Sequence, residues 1–224
     1  MVARTRLLVP ATIARALARA VAGNRHNDRV ADETGFDVEF GVPDDLFSIS
    51  IARDDDEAGD QLLHFVDKRV GPDATSATKA DVLAQLLAAR AALAYDSVVW
   101  SGVMSAPIDG KWVLAHFGVS VRTAQRGESL ATLQADIERR YRDDAIVEPF
   151  PTRHCTAIGV RRVGTLVAGE DEVTTAVAQV LCFFNEVKGL ATVTGIALSL
   201  DDLDVTTLIV GAIADSVVLR HRAQ

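Results

Sequence analysis

The stretch SVVWSGVMSAPIDGKWVLAHFGVSVRT, Ser97–Thr123, decides the fold. Ser97 to Ala106 and Lys111 to Thr123 are rich in β-branched and aromatic residues and flank Pro107-Ile108-Asp109-Gly110. An Asp-Gly pair between two such runs is a strong hairpin signal, because the tight turn joining right-twisted strands needs residues that accept positive φ. In the second run Val113, Ala115, Phe117, Val119 and Val121 fall on one face, since strand side chains alternate with a period of two. Trp112, Leu114, His116, Ser120 and Arg122 take the other face, a mixture that predicts partial cover.

Working outward, Phe36 to Phe40 alternates as a half-buried strand. Pro43-Asp44-Asp45 is a turn, and Leu46 to Ile51 is a second strand, which together predict an early hairpin. A helix from the acidic cluster Asp54–Glu57 to about Arg69 turns Leu62, Phe65 and Val66 inward, with its end charges complementing the helix dipole. Residues 78–95 form the clearest helix, with Val82, Leu83, Leu86, Leu87, Leu93 and Ala94 in one stripe and Thr78 as its cap. Glu128 to Arg142 is a further helix, with Leu130, Leu133, Ile137 and Tyr141 on one face. Three strands follow, near 155–166, 172–185 and 190–200. Their short connections require antiparallel neighbours, because a parallel pair needs a crossover of about a dozen residues. Asp202 to Arg220 reads as a C-terminal helix rich in β-branched residues, which packing must hold, as core or as a dimer seam. The expected fold class is α+β: a mainly antiparallel sheet of about seven strands flanked by helices.

This order of elements resembles the PsbP-like fold of actinobacterial proteins of unassigned function. The passages that carry it are FDVEFGVPDDLFSISI, two helices, the Asp-Gly hairpin with its VLA strand, ESLATLQADIERRY, a three-stranded meander and a terminal helix. The likeness spans residues 36–221 and lies in element order and texture. Members of that wider fold include an accessory subunit of the photosynthetic oxygen-evolving complex and a Ran-binding import factor. The resemblance therefore implies a binding or accessory role without a catalytic centre. It carries over no individual residue. Some actinobacterial proteins of this kind look like accessory proteins near type VII secretion genes, an association that no residue here requires.

Residues 1–34 form a basic amphipathic arm and linker, and residues 35–224 a single domain. Ile13, Leu17, Ala20 and Val21 share one face of an 11–22 helix, with Arg15 and Arg19 on another. Residues 1–27 carry +5 and the remainder −13. The acidic body argues against nucleic acid, whose phosphates demand Lys and Arg. The arm fits either the chain's own acidic body or an anionic membrane surface. Met1–Val9 begins like a signal peptide, but Pro10, Arg15 and Arg19 interrupt the apolar run such a segment needs. With only Cys155 and Cys182, a reducing compartment is expected, which places the protein in the bacterial cytoplasm.

No phosphate loop, GxSxG elbow, HExxH or CxxC occurs. His26, His64, His116, His154 and His221 are scattered without ligand spacing. A cysteine nucleophile needs a base within reach, yet His154 and Cys155 are adjacent and so point to opposite faces. His116 reaches Cys155 only if the strand register allows it. Both cysteines otherwise read as small apolar fillers. The acidic groups Asp44-Asp45, Asp54–Glu57, Asp143-Asp144 and Asp201-Asp202-Asp204 sit at turns and helix starts, where acids are stabilised without a metal. Trp100 and Trp112 flank the hairpin as candidate anchors or covered core. No catalytic residue, cofactor or metal ligand is assigned. The expectation is a non-catalytic module that binds another protein or a second copy of itself. An enzyme or small-ligand binder, and a peripheral membrane protein docked through residues 1–27, are the alternatives.

Overall fold

The computed structural model describes residues 25–26, 35–51, 55–70, 74–93, 97–108 and 111–222. The expected 11–22 helix and its membrane or partner contact lie outside them, as does the Asp109-Gly110 turn itself. The strands are β1 (Arg25–His26), β2 (Phe36–Gly41), β3 (Phe47–Ile49), β4 (Val98–Ile108), β5 (Lys111–Thr123), β6 (Ala145–Phe150), β7 (Thr156–Ala168), β8 (Asp171–Phe184), β9 (Gly189–Ala197) and β10 (Val218–His221). The helices are α1 (Asp55–Arg69), α2 (Ser76–Leu93), α3 (Leu130–Tyr141) and α4 (Leu203–Ser216).

Seven strands form one antiparallel sheet in the order β3-β4-β5-β9-β8-β7-β6. The β4–β5 hairpin within it is the one the opening stretch dictates, with Pro107 opposite Trp112 and Trp100 opposite Val119. Val113, Ala115, Phe117, Val119 and Val121 are all buried on one face. There they meet Ile209, Val210 and Ile213 of α4 and Phe36, Val38 and Phe40 of β2 in the largest core cluster. Gly169, at φ 68°, supplies the left-handed residue that the short β7–β8 turn needs.

The opposite face carries α1, α2 and α3 over separate clusters. Ile49, Leu62, Phe65, Val66, Leu86 and Val103 pack beneath α1 and α2. Ala89 and Leu93 of α2 cover Leu166, Val177 and Ile196. Leu130, Leu133 and Ile137 of α3 cover Ile158, Val160, Leu181, Phe183 and Leu190. Helix α3 starts in a capping box: Ser129 Oγ accepts from Thr132 N while Thr132 Oγ1 accepts from Ser129 N at 2.9 Å. Replacing Ser129 with alanine removes an acceptor from the first turn. Urea denaturation is expected to show a loss of about 1 kcal/mol with an unchanged slope.

Four local expectations are corrected. The early hairpin does not form: β2 pairs with β1 and β10, while β3 pairs with β4. The Pro43 turn does close, with Leu46 N donating to Pro43 O at 3.1 Å, but it passes the chain between two sheets. Phe40 instead packs edge-on to Trp100, with centroids 6.0 Å apart. The cap of α2 is Thr75, whose Oγ1 accepts from Thr78 N at 3.1 Å, and Leu87 faces outward. The 145–150 segment is an edge strand that the sequence reading left out, with Pro149 placed where an edge tolerates it. The C-terminal helix stops at Ser216. Val217 is extended, and Val218–His221 pairs with β2 as β10, a conformation that suits consecutive β-branched valines better than a helix.

Candidate functional site

Strands β5, β8 and β9 are apolar on the α4 side and mixed on the other. On that other face Ser120 stands opposite Thr192, and Gln179 opposite Thr194. Gln179 Nε2 donates to Thr194 Oγ1 at 3.1 Å. Small polar residues in mid-sheet mark a strip in which Ser120 and Thr194 are buried and Gln179 and Thr192 half-buried. The strip lies between the cluster under α2 and the cluster under α3 and opens as a furrow of about 400 Å³. Ser97, Ser120, Gln179 and Thr192 line it, and Leu133, Ile137, Leu181 and Leu190 give it an apolar side. Helix α3 contributes Asp136, Arg140 and Tyr141.

Two arginines supply positive charge. Arg122, also lining the furrow, makes a two-pronged ion pair with Glu128, at 2.7 Å for Nη1 to Oε2. The hydrogen bond to Arg122 holds the Glu128 carboxyl below its ordinary value, assisted by the Gln125 backbone N–H, and the same pair raises Arg122. Arg122 is thus already neutralised and acts as a fixed wall. Arg140 is exposed at the rim and has no ion-pair partner among the described residues. Tyr141 is held by the Arg162 guanidinium, 4.7 Å above its ring. The furrow can therefore seat an anionic, partly apolar group: Arg140 meets the charge, the hydroxyls and Gln179 offer hydrogen bonds, and the leucines cover the rest.

The residues singled out in the sequence go to separate places. His116 is fully buried on the helix-bearing face, between α2 and β4. Its Nδ1 donates to Leu86 O at 3.3 Å, since a carbonyl only accepts, so Nε2 accepts from Ser101 Oγ at 2.8 Å. Burial lowers its pKa to about 4 against the raising effect of the Leu86 bond, with Arg90 lowering it further. It is remote from Cys155, which packs against the core on the opposite face. His154 and Cys155 border a second cavity, of about 560 Å³, with Phe184, Asn185 and Arg220. The two tryptophans diverge: Trp100 is buried and Trp112 is 60% exposed. The acidic runs stay at turns and helix starts, and no group of three metal-ligating side chains occurs among the described residues. The furrow was missed because each of its residues is ordinary by itself. Its signal is the run of polar positions Ser120, Gln179, Thr192 and Thr194 on one face of strands whose α4-side face is apolar.

No family model matches the chain. No curated protein matches it in sequence. Among solved structures it is similar to LpqN of Mycobacterium tuberculosis, a protein involved in cell envelope biogenesis. The identity is 10% and the TM-score 0.44, over 84% of this chain and 86% of that one. This likeness is one of overall fold, and no PsbP assignment or secretion link comes with it. It does correct the expected location: the similar protein belongs to cell envelope biogenesis, so the cytoplasmic placement is withdrawn. The reason that placement failed is physical. It rested on the interrupted apolar run after Met1–Val9 and on a low cysteine count, and two cysteines that are free in this structure are compatible with either compartment. Among the described residues no helix is long and apolar enough to cross a membrane.

Proposed function

We propose that the chain is a non-catalytic binding module whose furrow between α2 and α3 takes the anionic end of a small, partly apolar ligand. The observation that supports this reading is the polar floor of Ser120, Gln179 and Thr192 in the same furrow as the exposed arginine Arg140. An accessory role in cell envelope biogenesis, the process in which LpqN is involved, is compatible with such binding. The test is a thermal-shift and calorimetric screen with carboxylate- and phosphate-bearing amphiphiles. A binder from this set should lose affinity by about tenfold in Arg140→Ala, the scale of one charge-assisted hydrogen bond. Unchanged affinity in that variant, or no binder in the set, would sink the reading.

The exposure of Trp112 favours a second reading, in which the hairpin end contacts another protein or a second copy. Sedimentation of the full chain and of Trp112→Ser decides the self-association form. Concentration-dependent dimers lost in the variant support it, and monomers in both exclude it.

A further inference from the structure

The two cysteines are far apart in sequence but adjacent in the fold. Ala157 pairs with Cys182 and Thr156 with Phe183, so Cys155 lies diagonally across from Cys182 on the same face. Both contact the large core cluster on the α4 side, and each thiol is the largest influence on the titration of the other. Cys182 is fully buried, with Sγ directed to Ala214 O at 4.0 Å. Cys155 is half-buried and borders the 560 Å³ cavity. It precedes the first residue of β7, so its backbone is not tied into the sheet ladder.

The segment carrying Cys155 is held over Cys182 from both sides. Thr152 Oγ1 lies 2.6 Å from Cys155 O and 3.1 Å from its Sγ. The Arg153 backbone N–H and Nε both donate to the Asp215 carboxylate, at 3.0 and 2.8 Å, anchoring the segment to the end of α4. We propose that Cys155 and Cys182 are a peroxide-reactive dithiol, with Cys155 the attacking thiol and Cys182 the resolving one, closing to an intramolecular disulfide.

The chemistry balances with a hydroperoxide as oxidant. Cys155 gives its proton to solvent, and its thiolate attacks one peroxide oxygen. An S–O bond forms, the O–O bond breaks, and the departing hydroxide takes a proton to become water. Cys182 Sγ then attacks the Cys155 sulfur. The S–S bond forms, the S–O bond breaks, and the hydroxyl leaves as a second water with the Cys182 proton. Two electrons pass from the sulfurs to the peroxide. The roles follow from the surroundings. The neighbouring Cys182 thiol, joined by Thr152, lowers the Cys155 thiol below its ordinary value against the effects of burial and of the Asp215 charge. The Cys155 thiol, with burial, raises Cys182. Thiolate character and access therefore both favour Cys155.

The experiment treats the full chain with hydrogen peroxide under native conditions and reads intact mass, then maps unreduced peptides. The expected result is a mass loss of two hydrogens, a peptide pair joined through Cys155 and Cys182, and reversal by a dithiol reductant. Cys182→Ser should trap the oxygen adduct on Cys155, detected by a sulfenic-acid-selective dione probe. Cys155→Ser should leave Cys182 as thiol at the same dose. A covalent dimer, oxygen addition without hydrogen loss in the native chain, or no mass change would each overturn the proposal. This inference is independent of the furrow, and neither outcome bears on ligand binding there.

Discussion

Replacing Gly195 with alanine is expected to destabilise the protein by about 1–3 kcal/mol, the range for overpacking a filled core. Gly195 lies at the centre of β9, opposite Phe117 of β5 and Ala178 of β8. A Cβ there would stand 2.6 Å from Thr206 Cγ2, 2.8 Å from Val210 Cγ2 and 3.1 Å from a carbon of the Phe117 ring. Thr206 and Val210 belong to α4 and are fully buried, so neither can swing aside. Relief requires the whole helix to lift off the sheet. Because Ile209 and Ile213 of the same helix are buried in the main core, lifting it loosens that core as well. Valine adds two more carbons to the same space and should leave little folded protein. Urea melts of the alanine variant measure the effect. A midpoint within error of the native chain would show that α4 does not pack on β9 as described.

The second large effect is the share of the acid pH dependence that His116 supplies. Its folded pKa is about 4 against 6.5 when solvated. Between those values the unfolded chain binds the proton and the folded chain does not. The stability from neutral, buried His116 is therefore fully present above about pH 6.5. It falls as pH drops towards 4, and below that this group adds no further slope. The window is worth about 3 kcal/mol at 1.36 kcal/mol per pKa unit. Carboxylates contribute their own acid slope, so the measurement is a comparison. Urea melts from pH 7 to 4 are run on the native chain and on His116→Leu. The variant is expected to be less stable at pH 7, having left the Ser101 hydroxyl and Leu86 carbonyl without their partner. Its stability should nevertheless fall by about 3 kcal/mol less across the window. Equal falls in both proteins would show that the imidazole is protonated in the folded state.

The furrow and the cysteine pair differ in how they could be found from the chain. The furrow leaves a faint trace, because Ser120, Gln179 and Thr192 interrupt strands whose neighbours are apolar. The cysteine pair leaves none. Twenty-six residues separate Cys155 from Cys182, and only the β7–β8 register brings them onto one face. The extended-segment expectation put His154 and Cys155 on opposite faces, but the chain bends ahead of β7 and both border the same cavity. The partner for Cys155 comes from across the ladder.

By itself the sequence determined the elements whose signal is local. The Asp-Gly hairpin, the apolar face of β5, the inward residues of α1 and the antiparallel meander β7-β8-β9 follow from side-chain period and turn chemistry, both properties of a few consecutive residues. The tertiary structure alone decided what depends on partners distant in the chain. Strand β2 left its neighbour β3 for β10, about 180 residues away, and there Phe36, Val38 and Phe40 are buried in the α4 core. The helix beginning at Leu203 ended at Ser216 because β2 offered an open edge to Val218–His221. Such choices compare burial at one distant site with burial at another, and no window of consecutive residues contains both sides of that comparison.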